Sequence, residues 1–284
     1  KQAFNKLDDA LLNEYIIENA KHFKASHFNE LKDFDTFKNQ YKSSKNQVKQ
    51  LNWFKPLLRI ASVVIISLGL YFTFFNNQNT YIETLTSQKM TIELPDYSKV
   101  ELNALSSIAY NAHDWDDNRN LELKGEAYFK VAKGKSFNVK TSQGIVTVVG
   151  TQFNVKQRSN YFEVKCFEGI VKVVFDTISR QLLAGDTYQI LYGKFKEGKT
   201  ESLLPKWTQN MSDFDAIPFK EVLSELERQY NIEVSFKNID VNRLFTGGFP
   251  HNNLENALIA IMQPMNLTYE LRSSNQVIVH GKGN

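Results

Sequence analysis

From Leu57 to Phe75 the chain reads LLRIASVVIISLGLYFTFF, nineteen residues with one charge, Arg59, near the start. A helix rises about 1.5 Å per residue, so about 20 apolar residues match the ~30 Å hydrocarbon core of a bilayer. An arginine near the end of such a run can snorkel to the headgroups. The segment predicts one membrane-crossing helix over residues 56–75. A cleavable secretory leader would open the chain with a shorter apolar run, whereas more than fifty residues of amphipathic sequence precede this one.

The flanks set its direction. Lys38, Lys42, Lys45, Lys49 and Lys55 precede the span with no acid among them, whereas Lys89 is the single basic residue in the twenty that follow. Basic flanks stay on the cytoplasmic side. The expectation is a single-pass protein of a bacterial inner membrane, with its N-terminus in the cytoplasm and everything from Asn76 onward in the periplasm.

Ahead of the span, Leu7, Leu11, Leu12, Tyr15, Ile16 and Phe23 recur at helical spacing, and Phe28, Leu31, Phe34, Phe37 and Tyr41 form a second stripe. Residues 1–55 therefore read as a small all-α segment. So short a piece buries little of its own surface, so the stripes make either a marginal bundle or a face kept for a partner. Leu11, Leu12, Tyr15 and Ile16 are the candidate partner contacts. The first residue is Lys1 and not methionine, and the expectation is that a few residues precede it.

Beyond the span the period changes to two: Met90, Ile92 and Leu94; Val100 and Leu102; Leu121 and Leu123; Phe137 and Val139; Phe162, Val164 and Cys166; Val171, Val173 and Phe175. Turn residues separate these runs at Pro95-Asp96, Gly134, Gly144, Asn160, Gly169 and Gly185-Asp186. Residues 76–205 thus predict an all-β domain, built as a sandwich or as a solenoid. A chain of 284 residues has room for more than one core, and after Trp207 a repeat appears. Phe219, Val222, Leu223, Leu226, Tyr230, Ile232, Val234 and Phe236 match Leu254, Ala257, Leu258, Ile261, Met265, Leu267, Tyr269 and Leu271 at a constant offset of 35 residues. Residues 206–284 predict an α+β domain of two β-α-β units, with strands near Phe214 and from Phe245 to Phe249, Asn253 capping the second helix and a last strand at Val277–Val279.

Chemistry is sparse. Cys166, the only cysteine, alternates with Val164 and Phe162 and reads as a buried strand thiol. Gly193 to Thr200 fits GxxxxGK[ST], but Leu203, Leu204 and Pro205 follow where a phosphate loop needs a helix N-terminus, so a charged hairpin is the reading. His113, Asp114, Asp116 and Asp117 surround Trp115 without the glycine-centred spacing of a calcium loop. His22, His27, His251 and His280 stand alone, and HExxH, GxSxG and GxGxxG are absent. No cofactor, no metal and no direct nucleic-acid contact is expected, and a net charge of +3 argues for none.

Several motifs occur in the order of a known family. Leu94-Pro95-Asp96 with Val100, Leu102-Asn103 and Ser106-Ser107 comes first, then Gly125-Glu126-Ala127-Tyr128-Phe129-Lys130-Val131. Phe137 and Val139, the run Val148 to Val155, and Glu168-Gly169 with Val171 and Val173 follow. Together they resemble the periplasmic domain of the FecR-like family of transmembrane anti-sigma regulators. The repeat region resembles the C-terminal, signalling-domain-like module of its Bacteroidetes-type members. Two turns depart from the pattern: Tyr97 stands where the family has glycine, and Ala184 where proline is commoner.

The resemblance implies a relay. The signalling domain of an outer-membrane TonB-dependent receptor engages the periplasmic part, and the cytoplasmic helices answer by releasing or activating an extracytoplasmic-function sigma factor, with proteolysis on the way. It implies no enzyme, save that some similar regulators cleave themselves at a Gly-Thr bond, for which Gly150-Thr151 is the matching pair. An ordinary buried strand turn is the competing reading there. Two other readings stay open: a membrane-tethered periplasmic receptor for a small solute or glycan, and an anchored envelope enzyme acting through His113 and its aspartates.

Overall fold

The computed structural model describes residues 9–22, 34–43, 54–75, 79–273 and 275–281. The chain divides into two compact units, Lys1–Ile66 and Ser67–Asn284.

The first unit carries helices α1 (Asp9–Lys21) and α2 (Phe34–Ser43) and the beginning of α3 (Phe54–Phe75). On α1, Leu11, Tyr15, Ile16 and Ile17 each leave 55–62% of their surface open, and Leu12 is half-buried. Leu7, Phe23, Phe28 and Leu31 of the expected stripes, and Lys45 and Lys49 of the basic flank, lie outside the described residues, as do the side chains of Phe34 and Phe37. The segment expected to cross a membrane is a continuous helix of 22 residues, about 33 Å of backbone. Its side chains are described from Ile60 to Tyr71, all exposed. Among the described residues no helix is long and apolar enough to cross a membrane.

Thirteen strands of the second unit form one bent sheet. They are β1 (Thr80–Thr84), β2 (Met90–Glu93), β3 (Lys99–Leu102), β4 (Ser106–Tyr110), β5 (Arg119–Lys130), β6 (Phe137–Lys140) and β7 (Ile145–Val148), then β8 (Gln152–Arg158), β9 (Tyr161–Glu168), β10 (Ile170–Phe175), β11 (Ile178–Leu183), β12 (Asp186–Leu191) and β13 (Lys194–Lys199). The long β5 belongs to both halves. Its first part, to Lys124, lies between β4 and β6, and its second part, from Gly125, lies between β3 and β8. One face therefore runs β1-β4-β5-β6-β7-β10-β11 and the other β2-β3-β5-β8-β9-β12-β13.

Among the described residues of this sheet, only β5 and β6 pair in parallel. A solenoid stacks parallel strands coil upon coil, so of the two architectures left open by spacing, the half-barrel with sandwich-like faces is the one built. Gly125 makes the bend. Its φ is +102°, and a Cβ there would stand 2.5 Å from Ser106 Oγ and 2.7 Å from Ser106 Cα.

Inward residues of both faces meet in one core. Phe129 stacks on Phe153 with ring centroids 4.9 Å apart, and Trp115 packs edge-on against Tyr110 and Phe137. At Tyr97, between β2 and β3, the turn needs the left-handed region and the tyrosine adopts it, with φ 64°. A side chain there costs about 1–2 kcal/mol that glycine avoids, and the 79% exposed ring contributes little packing in return. Tyr97→Gly is expected to raise the midpoint of thermal unfolding, by calorimetry, by the equivalent of about 1 kcal/mol after the extra unfolded-state entropy of glycine is subtracted.

A 3-10 turn (Lys206–Gln209) leads to β14 (Met211–Pro218), α4 (Phe219–Tyr230), β15 (Glu233–Lys237), β16 (Leu244–Pro250), α5 (Leu254–Met265), β17 (Leu267–Ser273) and β18 (Gln276–Gly281). The 35-residue period is visible in the helix ends: α4 stops at Asn231 and α5 at Asn266, both left-handed. Asn253 caps α5 by accepting from Asn256 N at 2.9 Å. The halves are not self-contained β-α-β units, however. β14 pairs with β16, while β15 and β17 flank β18 in a second sheet. Each half supplies one strand to each sheet, because neither could cover its apolar helix face alone.

Candidate functional site

Where the C-terminal helices and strands meet the half-barrel, buried charged side chains stand beside the apolar contacts made by Tyr161 and Leu191. Lys156, from β8, sits with Nζ 3.5 Å from Glu126 of β5 and 3.6 Å from Glu225 of α4, over the Tyr161 ring at 5.3 Å. Glu225 is 1% exposed. It also accepts from Arg228 Nη2 at 2.8 Å and from Gln229 Nε2 at 2.9 Å. Glu126 accepts from Asn103 and Asn154, each at 3.0 Å, and Asn154 in turn accepts from Trp207 Nε1 at 3.0 Å.

The electrostatics follow from this pairing. Burial opposes the charge on Glu225, but Lys156, Arg228 and Arg158 outweigh it and hold the carboxyl well below the usual carboxylate range. Burial likewise opposes the charge on Lys156, and Glu126 and Glu225 raise its pKa above that of an ordinary lysine. Beside them Glu163 pairs with Lys165 at 3.2 Å and accepts from Tyr161 at 3.0 Å. A buried cation between two carboxylates is costly to form and costlier to break, which makes this seam a specific lock.

Further along the seam Lys89 Nζ donates to Trp207 O at 2.8 Å and Asn210 Oδ1 at 2.9 Å, and lies 2.8 Å from His251 Nδ1. An ammonium only donates, so Nδ1 accepts and Nε2 carries the proton toward Ser212 Oγ, 2.9 Å away. Burial and the Lys89 charge push the imidazole down to about 4. A histidine oriented by a cation is a poor base at neutral pH, so the Ser212–His251 pair is structural and does not activate the serine.

The residues singled out in the sequence lie elsewhere. Gly150 and Thr151 form the bend between β7 and β8. Thr151 is 3% exposed, and its Oγ1 donates to Ile170 O at 3.1 Å. Gly169 packs its backbone there, where a Cβ would lie 3.0 Å from Thr151 Oγ1 and 3.1 Å from Gly150 O. The His113 loop is pinned by buried Trp115, with Asp114 accepting from Asn118 at 2.6 Å and Asp117 pairing with Lys135 at 3.1 Å. Among the described residues no group of three or more His, Cys, Asp or Glu could hold a metal ion. Gly193 turns the β12–β13 hairpin, and Lys199 pairs with Asp186 across it. Cys166 is fully buried, its thiol pushed up to about 11 by burial and by Asp186.

An open cleft of about 680 Å³ lies at the bend of the sheet, lined by Tyr81, Leu105, Ser107, Gly125, Lys140 and Arg158 among others. Sequence reasoning passed over both the cleft and the seam. For the seam a signal existed: Glu225 sits three residues after Val222, on the apolar stripe of α4, where a solvated acid has no place.

Residues 80–172 match the family model described as FecR protein, and residues 212–279 the model described as FecR, C-terminal. Two crystal structures of a proposed anti-sigma factor from Parabacteroides distasonis are similar to this chain. One is 28% identical with a TM-score of 0.67 and the other 27% identical with 0.66. Each alignment covers 72% of this chain and 100% of that one. No curated protein matches.

Proposed function

We propose, from the premise that the chain belongs to the FecR-like family of anti-sigma regulators, that it relays an extracellular signal across a bacterial inner membrane to a sigma factor. Residues 1–55 hold an extracytoplasmic-function sigma factor in the cytoplasm, and 56–75 cross the membrane. The periplasmic parts, 76–205 and 206–284, answer the signalling domain of a TonB-dependent outer-membrane receptor. The membrane lipid is a solvent for the span, and no nucleic acid is bound directly.

The observation that carries this reading is the apolar face of α1. Leu11, Tyr15 and Ile16 stand open on a helix of 13 residues, too short to be stable alone in water. A partner surface is the economical way to cover them. The apolar run from Leu57 to Phe75 in the sequence supports the crossing.

The relay requires the two ends of the chain to lie on opposite sides of the membrane. In cells carrying single-cysteine variants, with Cys166→Ser as background, a membrane-impermeant maleimide is expected to label a cysteine at Tyr97 and to spare one at Tyr15. Equal labelling of both would end the relay reading.

Gly150–Thr151 is the one bond at which we place self-cleavage. Thr151 Oγ would attack the Gly150 carbonyl carbon while the hydroxyl proton passes to the departing amide nitrogen, and water would then open the ester. Thr151→Ala is expected to stay intact where the parent chain yields two fragments, and the same fragments from the variant would exclude the step. The alternative of a tethered receptor for a small solute or glycan has one observation in its favour, the open cleft at Gly125. Such a receptor would need no sigma factor.

A further inference from the structure

The first strand after α3 is held in place from the far end of the chain. β1 begins five residues after Phe75 and, among the described residues, pairs with β4 alone, so it is an edge strand. The turn that follows it, Leu85–Lys89, is gripped by the last turn of α4. Ser87 N donates to Arg228 O at 2.8 Å, satisfying one of the carbonyls that a helix leaves unpaired at its C-terminus. Thr86 Oγ1 donates to Asn231 Oδ1 at 2.8 Å, and Lys89 reaches Trp207, Asn210 and His251.

A second route leads from the same helix turn to the same strand end. Gln229 Nε2 donates to Asn103 Oδ1 at 2.8 Å, and the Asn103 carbonyl accepts from Thr84 Oγ1 at 2.6 Å. Thr84, the last residue of β1, is 3% exposed and also accepts from Ser106 N at 3.0 Å. The turn between the two routes is compact. Gln88 N donates to Leu85 O at 3.2 Å, Leu85 N donates to Gln88 Oε1 at 3.0 Å, and Ser87 is held in the left-handed region with φ 62°. A body braced in this way passes a displacement on to its neighbours where a slack loop would absorb it.

We propose that the Leu85–Lys89 turn is a latch: through it α4 keeps β1 in the sheet, and a partner that draws α4 aside frees the strand leading into α3. The latch rests on the relay reading only for its purpose, since the coupling itself is a property of the purified chain. A five-residue edge strand with one neighbour is the piece of such a sheet that opens at least cost. Release would free the whole of β1, the first strand after α3 in the chain, without unfolding the core.

Hydrogen exchange on the full chain in detergent micelles tests this, with Thr86→Val removing the side-chain bond to the α4 cap in the first route and Gln229→Ala cutting the second. In both variants the amides of residues 80–84 are expected to exchange about tenfold faster, while those of β9 and β12 and the near-ultraviolet circular dichroism stay as in the parent. Unchanged exchange in β1 beside a loosened 85–89 turn would overturn the latch. So would equal loosening of β1, β9 and β12, which would make these residues general supports of the fold. Neither result touches sigma-factor binding, which is measured separately.

Discussion

Lys156→Met is expected to destabilise the second unit by about 3–5 kcal/mol, the cost of removing one partner from a buried ion network. Methionine keeps the volume and the apolar stem, so the loss is that of the charge. Glu126 and Glu225, whose carboxylates lie 3.5 Å and 3.6 Å from the lysine nitrogen, would be left facing each other without the cation between them. Adding Glu225→Gln to Lys156→Met is expected to recover part of the loss, because one buried charge of the surplus is gone. Urea unfolding followed by tryptophan fluorescence gives both numbers, Trp115 and Trp207 lying in the half-barrel core and at the seam.

The pH dependence has a definite sign. His251 titrates near 4 when folded and near its ordinary 6.5 when unfolded. The unfolded chain therefore takes up the proton first, and stability falls as pH drops below about 6.5. Glu225, depressed when folded, contributes stability that is fully present above its ordinary 4.5 and is lost as pH falls through its folded value. Lys156, raised when folded, contributes stability that is present below its ordinary 10.5 and is lost as pH rises through its folded value. In Lys156→Met the deficit relative to the parent is expected to shrink as pH falls from 7 toward 5, since one of the two stranded carboxylates can take a proton. A deficit independent of pH over that range would mean that Lys156 acts by packing alone.

Gly125→Ala is the second large effect, expected to cost about 2–5 kcal/mol from the left-handed φ and the collision together. The nearest obstacles include Ser106 Cα at 2.7 Å, so shrinking Ser106 to glycine cannot make room, and Gly125→Ala with Ser106→Gly is expected to be no more stable than Gly125→Ala. Because Gly125 is the point at which β5 passes from one face to the other, the damage falls on the pairing of both halves. A domain stable by about 5–15 kcal/mol would lose much of its margin. Recovery in the double variant, read as a higher midpoint in the same urea titration, would show that only the serine side chain needs the glycine.

Much of the half-barrel was legible because alternation survives wherever one face of a strand is buried. β2, β3, β6, β9 and β10 follow the runs read from the sequence, and Trp115 explains why the aspartate-rich loop is ordered without a metal-like cluster. β11 and β13 were not legible: they are edge strands with most residues exposed, so ISRQLL and KFKEGK carry no period of two. Of β5 only Leu121 and Leu123 were read from alternation, because the pattern does not continue past Gly125, although the strand runs on through it. The repeat of 35 residues was visible, but not the exchange of strands between its halves, since pairing partners leave no mark on spacing. The seam was missed for a related reason. Lys156 and Glu225 look solvated one at a time, and only the fold brings a cation from β8 to an acid of α4. On α1, Leu11, Leu12, Tyr15 and Ile16 were read from one apolar stripe, and the structure adds Ile17 to the open surface.

The central claim is that this chain holds a sigma factor through α1. The direct measurement is to purify the full chain from native membranes through a C-terminal tag and to identify by mass spectrometry what comes with it, for the parent and for Leu12→Asp and Ile16→Asp. A sigma factor in stoichiometric amount with the parent, absent from both variants while the second unit keeps its unfolding midpoint, is the predicted result. A parent chain that brings down no sigma factor, or variants that retain it undiminished, would contradict the account.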